Sequence, residues 1–167
     1  MSYWKHNIKG IDWATYPLWE REAIFSHICN ENNVELEQGN YAILWEDPEQ
    51  LDMPAKVTYP SPRWLAMAMH GHILPPVEVY WALAADESQE DFKRHSRGAL
   101  LHDTTPMNPM TEEEAMEYLI MKDIPPRVWR DYKGNRIIVR VVRREEIPTD
   151  RSNRNEWRIP QEGIEYE

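Results

Sequence analysis

Arg136-Ile-Ile-Val-Arg-Val-Val-Arg-Arg144 is the stretch that decides the fold. β-branched side chains dominate here, and every second residue from Ile137 to Val141 is apolar, which predicts a β-strand. Ile137, Val139 and Val141 form one wholly apolar face, while Ile138, Arg140, Val142 and Arg144 form a mixed one. Such a strand is central or half-buried. Two shorter strand signals precede it. Tyr41-Ala-Ile-Leu-Trp45 lies between Gly39-Asn40 and Asp47-Pro48, and Lys56-Val-Thr-Tyr59 ends at Pro60.

Helix signals fill the rest. Thr15-Tyr-Pro-Leu18 predicts a helix start with a Thr cap, running to Asn30 with Leu18, Ile24, Phe25, Ile28 and Cys29 inward. Ser61-Pro62 opens a short helix that Gly71 stops, with Trp64, Leu65, Ala68 and Met69 sharing a face. Thr111-Glu-Glu-Glu114 has capping-box spacing, and the helix it starts halts before Pro125-Pro126. A turn of helix is expected around Val128 to Tyr132, and a polar helix over Ser88–Arg97. Val77, Val79, Trp81 and Leu83 alternate, which favours a strand, although Pro76 could equally open a helix. Met67, Met116 and Met121 are expected in the core, Met107 and Met110 in an exposed loop.

Thirteen prolines leave little room for long helices. The fold class expected is α+β: a single compact domain over 1–160, with short helices and a small, mostly antiparallel sheet. Residues 161–167 are acidic and expected to fray. The single cysteine, Cys29, excludes an internal disulfide and fits a reducing compartment. Without an apolar run long enough to span a bilayer or a signal-peptide core, the expected location is the cytoplasm of the cell that makes it, with no membrane partner.

The net charge is −10, unevenly spread. Residues 127–158 hold ten Lys/Arg against five acids, a net +5 that leaves −15 elsewhere. The simplest consequence is internal pairing of this arginine-rich arm with the acidic remainder. The overall charge argues against direct nucleic-acid binding.

Few residues suggest chemistry. His70-Gly-His72 is the one histidine cluster, with His95 and His102-Asp103 as further candidates to join it in space, so His70 and His72 are the candidate metal ligands. The spacing matches no established metal motif, and a helix-end histidine facing the C-terminal dipole is the plainer reading. Cys29 reads as a buried, inert thiol. No phosphate loop, nucleophile elbow, Cys-x-x-Cys or His-Glu-x-x-His occurs. No catalytic residue and no cofactor are therefore expected.

The C-terminal third carries a resemblance. Met121-Lys-Asp-Ile-Pro125, Val128-Trp129, the strand, then Ile147-Pro-Thr-Asp-Arg151 and Arg154-Asn-Glu-Trp157 are similar to a recurring piece of small phage-encoded proteins. That piece has a strand, Ile/Val-Pro-x-Asp-Arg, then Arg-Asn-x-Trp, and the likeness covers residues 111–159. It departs at Asn153, where an aromatic residue is common. The resemblance implies phage origin and a location in the host cytoplasm or the virion, and it implies no catalytic residues. Physically, Asp150 can cap the following turn, Arg151 and Arg154 can pair with acids, and Trp157 can pack on the strand. Arg140, Arg144, Asp150, Arg151, Arg154 and Trp157 are thus the candidate protein-contact residues.

Three functions compete. The first is a virion, tail-associated or assembly protein, whose oppositely charged parts could pair between copies in a homo-oligomer. The second is a regulator that binds a host protein through an acidic, nucleic-acid-like face made of Glu20, Glu22, Glu35, Glu37, Glu46, Asp47 and Glu49. The third is a metal-dependent enzyme using the histidines.

Overall fold

A computed structural model describes residues 8–86, 105–150 and 152–161. The architecture is α+β, with five helices and one three-stranded antiparallel sheet among the described residues. The expected helix over 88–97 lies outside them. The chain divides into two compact units, residues 1–38 with 61–115, and 39–60 with 116–167.

The first unit is helical. Helix α1 spans Leu18–Glu31 and starts at Pro17. Thr15 does not cap it. Its hydroxyl donates to the Asp12 carbonyl at 2.8 Å and closes a 3-10 turn over Trp13–Thr15 instead. The buried stripe of α1 is Leu18, Arg21, Phe25 and Cys29, a 3-4-4 spacing along one face, whereas Ile24 and Ile28 are only half-buried. Arg21, fully buried, donates from Nε to the Ile73 carbonyl (2.7 Å) and from Nη1 to the Tyr16 carbonyl (2.8 Å). Burial pushes its guanidinium below its ordinary pKa. Asn32 closes the helix, its side-chain amide donating to the Ile28 carbonyl at 2.8 Å.

Helix α2, Pro62–His70, has the expected ends. The Ser61 hydroxyl accepts from the Trp64 N–H at 3.1 Å, and Gly71 terminates the helix at φ 79°. Leu65, Ala66, Met67, Ala68 and His70 are buried, while Trp64 and Met69 are half-buried. Helix α3, Val77–Asp86, replaces the strand favoured by alternation. Pro75-Pro76 sets helical φ at its start, with the Pro76 carbonyl accepting from the Val79 N–H at 3.0 Å. Glu78 favours the first turn and Ala82, Ala84 and Ala85 favour continuation, so these local preferences outweigh a four-residue alternation. Val79 packs with Leu18 of α1, covered by Tyr80. Met110 is buried rather than exposed, because its N–H donates to the Ala68 carbonyl at 3.0 Å and draws its side chain inward; Met107 is half-buried.

Helix α4, Glu112–Asp123, begins in the first unit with the expected capping box. The Glu114 N–H donates to Thr111 Oγ1 (3.1 Å), and the Thr111 N–H to Glu114 Oε1 (3.0 Å). The second unit holds the rest of α4, the turn α5 (Pro126–Trp129) and the sheet. Met116, Tyr118 and Leu119 are buried there, with Met121 half-buried. Strands β1 (Tyr41–Trp45), β2 (Lys56–Thr58) and β3 (Val139–Arg143) lie in the order β2-β1-β3. Leu44 faces Val57 on β2 and Arg140 on β3. Among the described residues the decisive stretch is thus an edge strand, half-buried and not central. It starts at Val139, three residues after Arg136, which leaves Ile137 at 38% exposure and not on a buried face; Val141 is buried, as are Ile138 and Val142 on the opposite side.

Candidate protein-contact surface

Two buried carboxylates anchor the second unit. Glu46, 1% exposed, accepts from Arg136 Nε (3.1 Å) and Nη2 (2.8 Å) and from the Ile159 N–H (2.8 Å). Asp47 accepts from Arg127 Nε (2.9 Å) and Nη2 (2.7 Å). These are bidentate arginine–carboxylate pairs. They supply the expected internal pairing for Arg127 and Arg136. They also remove Glu46 and Asp47 from any exposed acidic face, because both carboxylates are buried against guanidinium.

The pair has a pH signature. The two hydrogen bonds from Arg127 pull the Asp47 carboxyl down to about 2, against the opposing effect of burial. A carboxylate depressed below its unfolded value, about 3.9, stabilises the fold above that pH. That stabilisation is lost as pH falls from about 4 toward 2. The urea midpoint of Asp47→Asn should therefore lie below that of the parent at pH 6, and the gap should close across this window. A gap undiminished at pH 2 would contradict the assignment.

The C-terminal corner is built on this base. The Trp157 carbonyl accepts from the Ala55 N–H (2.8 Å) and from Arg158 Nη1 (2.8 Å), while Arg158 Nη2 reaches the Asp52 carbonyl (3.0 Å). Asp150 caps the turn as expected, Oδ1 accepting from the Ser152 N–H at 2.9 Å. That hydrogen bond lowers its pKa. Arg154 lies over the Trp157 ring, 5.1 Å from its centroid, and no acid pairs with it among the described residues. Arg144 covers Tyr59 at 4.5 Å and Arg143 covers Tyr41 at 5.7 Å. Arg140 Nη1, Arg144 Nε and Arg154 Nη1 are buried without a hydrogen-bond partner among the described residues. Arg151 lies outside the described residues.

These elements enclose a cleft of about 320 Å³. Leu44 and Val142, on one face of the sheet, line it together with Ile147, Pro148, Trp157 and Pro160, and Glu146 and Arg158 add polar groups. Of the sequence candidates, Trp157 lines this cleft and Arg154 stacks on it, while Arg140 and Arg144 extend from β3 on the same sheet face. Glu146 and Pro148 were not singled out from the sequence. The spacing of Glu146 three residues after Arg143 was the available signal, since its Oε2 accepts the Arg143 N–H at 3.0 Å in the manner of a capping box. On the first unit, Trp19 stands 60% exposed beside Trp64 in a groove between α1 and α2.

His70 and His72 line a separate open groove of about 470 Å³ in the first unit. His70 is buried between Trp13 and Phe25, whose rings meet it edge-on at 5.6 and 5.5 Å. Its Nδ1 donates to the Gly71 carbonyl (2.7 Å) and its Nε2 accepts from the Ile8 N–H (3.3 Å), a pairing that fits the neutral Nδ1–H tautomer. Desolvation lowers its pKa further, against the Gly71 hydrogen bond. Both ring nitrogens thus serve the backbone, and His72 is exposed in a left-handed conformation at φ 68°. Among the described residues no three His, Cys, Asp or Glu side chains are placed to hold a metal ion. His95 and His102 lie outside them.

No described helix is long and apolar enough to cross a membrane. Comparison with known protein families, curated proteins and solved structures finds nothing that matches this chain.

Proposed function

We propose that this chain acts without catalysis, through protein–protein contact, as a small virion-associated, tail-associated or assembly protein of a phage. The observation that carries the reading is the cleft walled by Trp157. It is apolar, of a size to take one large side chain, and flanked by guanidiniums on aromatic rings. Buried aromatic and arginine anchors of this kind dominate binding energy at protein interfaces.

Quantitative mass spectrometry of purified particles, with infected-cell lysate as control, tests this. A structural subunit is present in particles at fixed stoichiometry, and Trp157→Ala lowers its incorporation while the purified variant stays folded. Absence from particles together with absence of any phage partner in crosslinked lysate would overturn the reading.

A further inference from the structure

We infer that the outer edge of β3 is a strand-addition site for an extended, acidic segment of a partner protein; the inference rests on the protein-contact reading above. The Arg144 N–H donates to the Asn40 carbonyl and the Glu46 N–H to the Ile138 carbonyl, both at 2.8 Å. Between them, Ala42 faces Val142 and Leu44 faces Arg140. In an antiparallel ladder hydrogen-bonded pairs alternate, so the even-numbered residues of β3 turn their amides to β1. Val139, Val141 and Arg143 turn theirs outward, where the sheet has no further strand among the described residues.

Both ends of this edge are closed by side chains. The Gln161 amide takes both backbone groups of Ile137, Oε1 accepting its N–H (2.8 Å) and Nε2 donating to its carbonyl (3.0 Å). Glu146 takes the Arg143 N–H. Between these stoppers lie the N–H and C=O groups of Val139 and Val141, and no hydrogen bond reaches them from the outer side among the described residues. Gln161 already imitates one rung of an added strand. A segment of about four residues, at roughly 3.3 Å per residue, would supply the next rungs.

Charge selects the occupant. Arg140 and Arg143 lie on the strand, one on each face of the sheet, and no carboxylate pairs with either among the described residues, in contrast to Arg127 and Arg136; Arg144, which follows the strand, is turned inward over Tyr59. An acidic strand brings carboxylates beside these guanidiniums. A second copy pairing β3 to β3 would set arginines against arginines, which is unfavourable for cross-strand neighbours. Phosphates would satisfy the guanidiniums but present no row of peptide groups to Val139 and Val141.

The test uses the full chain, isotope-labelled for amide NMR, titrated with a capped hexapeptide of alternating Glu and Val, with a Lys/Val peptide and a single-stranded oligonucleotide as the other arms. Expected are shifts of the Val139 and Val141 amides with the acidic peptide alone, and hydrogen exchange at both slowed about tenfold at saturation. Val139→Pro removes an outward N–H and leaves the inner ladder intact, as edge positions permit. It should weaken peptide binding about tenfold, one lost backbone hydrogen bond plus a disturbed edge. Should this variant fail to fold, Arg143→Glu, at an exposed position, should weaken the acidic peptide by a similar factor. Unmoved Val139 and Val141 amides, equal binding of the Lys peptide, or a response to the oligonucleotide alone would each overturn the inference. Unchanged incorporation of Val139→Pro into particles would overturn it too, while leaving the protein-contact reading standing.

Discussion

Gly71→Ala is expected to destabilise the first unit by about 3–5 kcal/mol, the joint cost of a strained backbone and an overpacked contact. Gly71 sits at φ 79°, ψ 169°, a region open essentially to glycine alone. A Cβ there would collide with Pro109 N and lie 2.6 Å from its Cδ and Cγ. Proline backbone is not a flexible side-chain end, so the 105–110 segment would have to move. Three backbone bonds hold that segment: His72 N–H to the Met107 carbonyl (2.7 Å), Met107 N–H to the Leu74 carbonyl (2.7 Å) and Met110 N–H to the Ala68 carbonyl (3.0 Å). Thermal unfolding should therefore show a large drop in midpoint, and exchange at the Met107 and Met110 amides should accelerate first. Gly10→Ala is the control. Its φ is 86°, but nothing lies within 4 Å of the added Cβ, so it should cost only about 1 kcal/mol. Equal losses for the two variants would show that the Pro109 contact does not matter.

Glu46→Ala is expected to cost the second unit about 3 kcal/mol, the lower end of the range for breaking a buried ion pair, because the Arg136 side chain keeps 34% exposure and can recover some water. The change leaves two guanidinium donors and the buried Ile159 N–H without their acceptor. Glu46→Gln keeps one carbonyl for Ile159 and should lose about half as much. Urea unfolding measures the total, and amide exchange at Ile159 reports release of the C-terminal corner from the sheet. That release should also open the Trp157 cleft, since Ile159 lies two residues beyond Trp157, whose carbonyl accepts the Ala55 N–H. A loss under about 0.5 kcal/mol, the size of an ordinary surface change, would mean Glu46 is not the anchor described.

How much of this was legible in the chain differs from element to element. The caps of α2 and α4 were, because Ser61 and Thr111 act on backbone groups only three residues away. The three strands were as well, since alternation and flanking Gly, Asn and Pro are local signals. The same signal misled at Val77–Leu83, where a short alternation met a proline start and alanine-rich continuation. The buried charges were not legible. Arg21 sits on an apolar face that the sequence filled with Ile24 and Ile28, because its carbonyl partner Ile73 is 52 residues away. Glu46 resembled a solvated acid, since its partners lie 90 and 113 residues along the chain.

By itself, then, the sequence determined the α+β class, the ends of α2 and the start of α4, and the excess of positive charge over residues 127–158. Only the tertiary structure decided which arginines are spent on Glu46 and Asp47 and which remain unpaired along β3. It alone made β3 an edge and closed that edge with Gln161 and Glu146. The reason is physical: capping and strand propensity act over one turn of chain, whereas pairing a buried charge or leaving a strand edge open depends on which distant segments loop closure brings together.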